Sequence, residues 1–220
     1  MKVCTLLCSL LLVITACSKQ KGQVEQIVYR DLNAEIVLPT HKTDLENSTN
    51  AGAMHADSIL AGYIQAEYVT TGLWPHDLDD DGQADMSFDI VDLNRFNPQG
   101  IPQNFDTLAA RVHPLQTTEI LDNSTYGYPD ALEEQVEVGP DHFWNDRQNF
   151  VLGTFLTAGN FKGAGDKYLG FRFAVGNGHH YGWVKLYVSA QNDTLRLYSY
   201  AWHKVADAPI LTGQLSTIAD

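Results

Sequence analysis

The chain of 220 residues is long enough for one hydrophobic core or two small ones. Hydrophobic residues make up 44% and charged residues 19%, which excludes an intrinsically disordered chain. Fourteen Lys and Arg against 27 Asp and Glu give a net charge of −13, and no basic cluster interrupts the acidity. A nucleic-acid partner is thereby excluded, because its phosphates would be repelled rather than neutralised.

The N-terminus starts with Lys2 and an apolar run, Val3 to Ile14, far too short to span a bilayer as a permanent helix. The run ends in Ile14-Thr15-Ala16-Cys17, which resembles the bacterial lipobox: an aliphatic residue, two small residues, then cysteine. The resemblance implies that residues 1–16 are a lipoprotein signal peptide and that Cys17 carries diacylglyceryl and acyl chains such as palmitate. Each buried methylene of those chains contributes about 0.8 kcal/mol to membrane attachment. The expected location is the bacterial cell envelope, on the outer membrane, facing the periplasm or the surface. Cys4, Cys8 and Cys17 are the three cysteines. A chain starting at Cys17 therefore has no internal disulfide and no thiol for catalysis or for a zinc–thiolate site. Residues 17–24 read as the lipidated cysteine and a polar tether, and 25–220 as a single β-rich domain.

Beyond the tether, short alternating runs separated by Gly, Asn, Asp and Pro predict antiparallel strands rather than helices. Gln26 to Tyr29 and Glu35 to Leu38 are the first candidates. Residues 41–58 read as a polar loop, and Ser58 to Val69 fits a strand or a short helix. Ala84 to Val91 alternates Met86, Phe88 and Ile90 with Ser87 and Asp89, the pattern of a half-buried strand. Residues 92–106 read as a long loop, Leu108 to Leu115 as a strand, and Leu121 to Phe143 as a polar stretch with room for a helical turn. Phe150 to Thr157 is another strand.

The C-terminal third predicts a three-stranded meander. Its strands are Tyr168 to Val175, Tyr181 to Ser189 and Thr194 to Trp202, with turns at Gly176-Asn177-Gly178 and Gln191-Asn192-Asp193. Strict alternation sets Val184, Leu186, Val188, Leu195 and Leu197 on one face. It sets Tyr181, Trp183, Tyr187, Tyr198, Tyr200 and Trp202 on the other. That aromatic row either fills a core or, if open to solvent, offers a platform on which pyranose rings stack.

The sharpest chemical motif is Asp77-Leu78-Asp79-Asp80-Asp81-Gly82-Gln83-Ala84-Asp85, which reads D-x-D-x-D-G-x-x-D. Calcium takes six to eight hard oxygen ligands, and carboxylates at alternate positions of a tight loop can converge on one point. In this scheme Asp77, Asp79 and Asp81 supply carboxylates, Gln83 a backbone carbonyl, and Asp85 a closing carboxylate. Asp80 faces solvent. The twelfth position counted from Asp77 is Phe88, where an EF-hand requires a glutamate, so the loop is not an EF-hand. It resembles the strand-loop-strand calcium loops of FG-GAP repeats, over these nine residues and in a single copy. Clustered aspartates repel one another without a cation, which favours a Ca2+ ion over an empty acidic turn.

A second resemblance rests on Lys167-Tyr168-Leu169-Gly170-Phe171-Arg172-Phe173, on Gly178-His179-His180-Tyr181-Gly182-Trp183-Val184 and on Tyr198-Ser199-Tyr200-Ala201-Trp202. Pro209-Ile210-Leu211-Thr212-Gly213 closes the pattern. These segments are similar to exported bacterial proteins that read roughly "YLGFRF … THYGWVRL … DYAYE" and also carry an Asp-rich calcium-type segment. The resemblance implies a β-rich exported module and assigns no catalytic residues. This chain departs from it in having a lipobox instead of a C-terminal anchor. Asp57-Ser58-Ile59, Asp106-Thr107-Leu108 and Asp193-Thr194-Leu195 resemble the O-glycosylation tripeptide of Bacteroidetes exported proteins.

Enzymatic signatures are sparse. There is no G-x-S-x-G elbow, H-E-x-x-H helix or P-loop. His179 and His180 are adjacent, so on a strand they point to opposite faces and do not share an ion. Trp74 and Trp144 lie at loop edges and are the candidate ligand-binding aromatics. The expected protein is all-β, an antiparallel β-sandwich-like domain with long loops. Its expected role is non-catalytic binding or envelope structure, with the membrane, a glycan or an envelope protein as partner. The alternative is a carbohydrate-active enzyme or a carbohydrate-binding accessory protein. A third is a subunit of a larger surface assembly.

Overall fold

The computed structural model describes residues 25–38, 54–55, 67–94, 108–154 and 159–217. In chain order the strands are β1 (Ile27–Val37), β2 (Met54–His55), β3 (Glu67–Thr70), β4 (Trp74–His76), β5 (Met86–Asn94), β6 (Leu108–Pro114) and β7 (Glu119–Leu121). They continue with β8 (Glu137–Val138), β9 (Trp144–Asn145), β10 (Phe150–Thr154), β11 (Asp166–Val175), β12 (Gly178–Val188), β13 (Thr194–His203) and β14 (Ile210–Leu211). No helix occurs among the described residues. The protein is all-β, as the alternation predicts.

Two sheets face each other. One has the order β1-β13-β12-β11-β7-β9; the other runs β10-β6-β5-β3-β2, with β4 paired to β5. Strands pair antiparallel throughout both. The core between them joins Phe171, Phe173, Val184, Leu186, Leu195 and Leu197 of the first sheet to Met86, Phe88, Ile90, Val112, Phe150 and Leu152 of the second. This is the β-sandwich arrangement, in which both inner faces interdigitate.

Part of the outer face of the first sheet is buried as well. Tyr168, Tyr181, Trp183, Leu121 and Ala201 form a second apolar cluster with Val138 of β8 and Ile210 of β14. Strands β8 and β14 pair as a two-stranded cover. Tyr181 and Trp183 are only 2% and 1% exposed, so this part of the aromatic face is core and not an open platform, whereas Tyr187 and Tyr198 are half-buried outside both apolar clusters.

The alternation rule fails in one place on β13. Lys185 pairs with Ser199, but the next residue, Leu186, pairs with Leu197. Tyr198 is therefore an extra residue, a β-bulge, and each residue beyond it turns to the opposite face. Strand β1 is bulged at the same level. Asp31 pairs with Ser199 and Ala34 with Leu197, and Asn33 takes a positive φ of 47°. In consequence Tyr200 joins the inter-sheet core and Trp202 packs against it. Strict alternation set both beside Tyr181 and Trp183.

Other boundaries also move. The two expected strands at Gln26–Tyr29 and Glu35–Leu38 are one bulged strand, β1. The expected loop at 41–58 contains β2, and the stretch 121–143 contains β8 instead of a helical turn. Most of 39–66 and 95–107 lies outside the described residues. At the start of β1, Glu25 ties the two ends of the domain together. Its carboxylate accepts bonds from the Ser216 hydroxyl and from Thr217 N at 3.0 Å. The Ser216 hydroxyl, then the Thr217 and Ile27 amides, hold its pKa down at about 2.

Gly182 is required by close approach. A Cβ there would stand 2.3 Å from Cζ of Phe171 and 2.6 Å from the Ala201 carbonyl oxygen. Gly182→Ala should cost about 2–3 kcal/mol, read as a lower urea midpoint at unchanged slope. A loss below about 0.5 kcal/mol would show that Phe171 can swing aside.

Candidate metal centre

The acidic loop joins β4 to β5 across the end of the sandwich. Asp85 N donates to His76 O at 2.8 Å and closes its neck, and Leu115 N donates to Asp85 O at 2.7 Å. Leu78, at the second position of the motif, anchors the loop. Its side chain is 1% exposed and lies in the inter-sheet core. Its N–H donates to Asp85 Oδ2 at 2.8 Å, and its carbonyl accepts from Trp202 Nε1 at 2.9 Å. Trp202 reaches this carbonyl because the Tyr198 bulge has turned it inward.

The loop's own amides organise its carboxylates. Asp77 Oδ1 accepts from Asp80 N at 2.7 Å, and its Oδ2 accepts from Gly82 N at 2.8 Å. Asp79 Oδ1 accepts from Asp81 N at 3.1 Å. Gly82 has a φ of 89° with nothing within 4 Å of a Cβ position, so backbone conformation and not space demands glycine there. Asp80 also takes a positive φ, 66°, which short polar side chains tolerate.

Asp77, Asp79 and Asp85 each bring a carboxylate oxygen within 4.8 Å of the others, a group that could hold a metal ion. Oxygens on opposite sides of an ion at 2.3–2.6 Å stand roughly 4.6–5.2 Å apart, so the three fit one coordination sphere. The donors are all hard oxygens, which suits a hard cation rather than a thiophilic or imidazole-seeking one. Asp81 lies outside this group. Its Oδ1 accepts from Gln83 N at 2.7 Å and its Oδ2 from Gln83 Nε2 at 3.4 Å. Asp80 is turned to solvent, as expected, and meets Arg30 at 3.3 Å. Cys17 lies outside the described residues.

Electrostatics set this site apart. Asp85 is 5% exposed. Burial, reinforced by the charges of Asp79, Asp77 and Asp81, pushes its pKa up to about 6 against the pull of the Leu78 amide. Asp79 is also raised, by burial first and then by Asp81 and Asp77. Both carboxylates are therefore held in positions that favour a proton or a cation.

The two candidate ligand-binding tryptophans have different surroundings. Trp74 is 42% exposed, with its ring edge-on to His76 at 6.5 Å. Trp144 is half-buried against the outer aromatic cluster. Its Nε1 donates to Gly139 O at 3.2 Å, Arg172 lies 5.0 Å over the ring, and Tyr181 packs at 5.6 Å.

One buried polar cluster escapes sequence reading. Asp89, 2% exposed, receives Arg111 Nε at 3.0 Å and Nη2 at 2.5 Å, and stands 2.9 Å from His113 Nε2. Burial alone would raise the Asp89 pKa, but the bonds from His113 and Arg111 outweigh it and lower the pKa. Ser87 stands opposite His113 in the ladder. The other ring nitrogen of His113 faces Gln148 O at 3.3 Å, so the imidazole is engaged at both nitrogens and not with Ser87. The cluster is thus an ion-pair brace across β5 and β6, signalled in the sequence only by polar residues at alternate positions of two strands.

His179 and His180 point to opposite faces. His180 Nδ1 is 2.8 Å from His203 O with its ring on Trp202, whereas His179 lies 3.9 Å from Glu119 on the outer face.

The raised Asp85 pKa fixes the sign of a pH effect. Folded Asp85 binds its proton more tightly than the unfolded residue, so its contribution to stability is full below pH 3.8 and is lost as pH rises through about 6. The loss amounts to about 2–3 kcal/mol at neutral pH. In chelator, Asp85→Asn should therefore gain stability relative to wild type between pH 4 and 7, measured by urea unfolding. A constant difference across that range would refute the charge conflict.

No family model, curated protein or solved structure matches the chain, so its function rests on the chemistry of these residues.

Proposed function

We propose that the chain is a membrane-anchored, exported lipoprotein of non-catalytic binding or envelope-structural role, whose acidic loop holds one calcium ion. The observation that carries the calcium reading is the gathering of Asp77, Asp79 and Asp85 around a carboxylate that is itself buried. A cation there would replace the Asp85 proton and cancel the repulsion among the three. Calcium is favoured by the all-oxygen donor set and by the D-x-D-x-D-G-x-x-D spacing. The ion stabilises by binding only the folded chain. The loop connects β4 to β5 and is bonded to β13, so fixing it also fixes one end of the sandwich.

The lipoprotein part of the proposal rests on Lys2, the Val3–Ile14 run and Ile14-Thr15-Ala16-Cys17. Support for a non-catalytic role comes from the polar groups in the described part. The His113–Asp89 pair is closed off by Arg111 and Gln148.

Two experiments test this reading. Calcium at a hundredfold excess over its Kd should add about 2.7 kcal/mol of stability, or about 5–10 °C in Tm for a domain of this size. Asp79→Asn should abolish that shift, and magnesium at the same concentration should give less than half of it. No shift in the wild type, or an undiminished one in Asp79→Asn, would remove the calcium site. Cys17→Ser should stop palmitate labelling and move the protein from the membrane to the soluble fraction. Retention in the membrane fraction would contradict the anchor.

A further inference from the structure

Residues 122–130 form a loop at the edge of the first sheet that carries an exposed tyrosine, Tyr126, and a half-buried one, Tyr128. Tyr126 is 55% exposed, and its ring stacks on Tyr128 with centroids 5.2 Å apart and planes 22° from parallel. Neither phenol hydroxyl has a hydrogen-bond partner among the described residues.

The loop beneath the pair is fixed at many points. Asp122 and Pro129 form a β-bridge across its base. Gly127 N donates to Asn123 O at 2.8 Å, Asn123 N to Tyr128 O at 3.3 Å, and Thr125 N to Asn123 Oδ1 at 2.8 Å. Arg147 reaches in from beyond β9, donating to the buried Asp122 carboxylate at 2.5 Å and to Gly127 O while stacking on Phe150 at 4.6 Å. Asn145 donates to the same Asp122 oxygen at 3.1 Å.

Two residues beyond Tyr128, Asp130 accepts from Asn123 Nδ2 at 2.9 and 3.0 Å and from Asn160 Nδ2 at 3.2 Å. No cation pairs with Asp130 among the described residues, and the side-chain oxygen of Asn160 has no partner there.

We propose that the Tyr126–Tyr128 stack, flanked by Asp130 and Asn160, is a binding site for a glycan of equatorially substituted pyranoses. Such sugars present faces of C–H bonds, which settle on the electron-rich face of an aromatic ring. Their vicinal hydroxyls match the remaining acceptor positions of a planar carboxylate and amide. Tyrosine gives large contact area at low cost in side-chain entropy, and a loop already locked adds little further ordering cost on binding. The inference deepens the binding role proposed above and does not use the acidic loop.

The test is titration calorimetry of the purified full chain with cellohexaose, xylohexaose and chitohexaose, with Tm recorded for each variant. The wild type should bind at least one of these. Tyr126→Ala should weaken that binding tenfold or more at unchanged Tm, and Tyr126→Phe should stay within about twofold, because the ring and not the hydroxyl makes the contact. Asp130→Asn should weaken binding several-fold. The calcium-induced Tm shift should survive in Tyr126→Ala, so failure here is separable from failure of the metal site. The proposal is overturned by wild-type protein that binds none of the three sugars. It is equally overturned if Tyr126→Ala binds as wild type does, or if binding is lost with Trp74→Ala and kept with Tyr126→Ala.

Discussion

Asp85 is buried beside Asp77 and Asp79 at a cost in free energy, and the surrounding fold holds it in place. A carboxylate inside a β-sandwich loses its hydration, and like charges at its side add to the cost. The Leu78 amide offsets part of this, but the Asp85 pKa still stands at about 6. The chain could relieve the conflict by letting the loop swing into water. Leu78 prevents that, since its side chain is in the core and its carbonyl is bonded to Trp202. The conflict is therefore fixed into the native state, where a hard cation would resolve it.

Trp202 links this loop to the packing of the whole first sheet. That sheet carries aliphatic and phenylalanine side chains toward the second sheet, and part of its outer face, with Tyr168, Tyr181 and Trp183, is buried beneath β8 and β14. A regular β13 would place Trp202 on the outer face with Trp183. One inserted residue, Tyr198, reverses the facing of everything after it and brings the indole to the Leu78 carbonyl. The bulge is thus a positioning device for the acidic loop, in keeping with the tendency of bulges to re-aim side chains near functional sites.

Much of this was legible in the sequence because its causes are local. Alternation of Met86, Phe88 and Ile90 gave a strand, Gly176-Asn177-Gly178 gave a turn, and the spacing of Asp77, Asp79 and Asp85 gave the carboxylate group. What was not legible depends on pairing. The Tyr198 bulge exists only in register with β12 and β1, so period-two counting carried Tyr200 and Trp202 to the wrong face. The Asp89–Arg111–His113 brace joins two strands and leaves no local pattern. Leu78 could have been noticed as the one apolar residue among four aspartates. Its partners, Trp202 and the core, are distant in sequence. Asp81 and Gln83 also fit the spacing of the motif, and Asp81 Oδ1 accepts from the Gln83 amide two residues on.

In the proposed reading, a bound divalent cation resolves the charge conflict at Asp85. An anomalous difference map from crystals soaked in terbium, a calcium surrogate, tests it most directly. One strong peak is expected at the acidic loop, with carboxylate oxygens of Asp77, Asp79 and Asp85 at about 2.3–2.6 Å. The absence of a peak there at saturating terbium, or an ion held by the outer aspartates with Asp85 left uncoordinated, would contradict it.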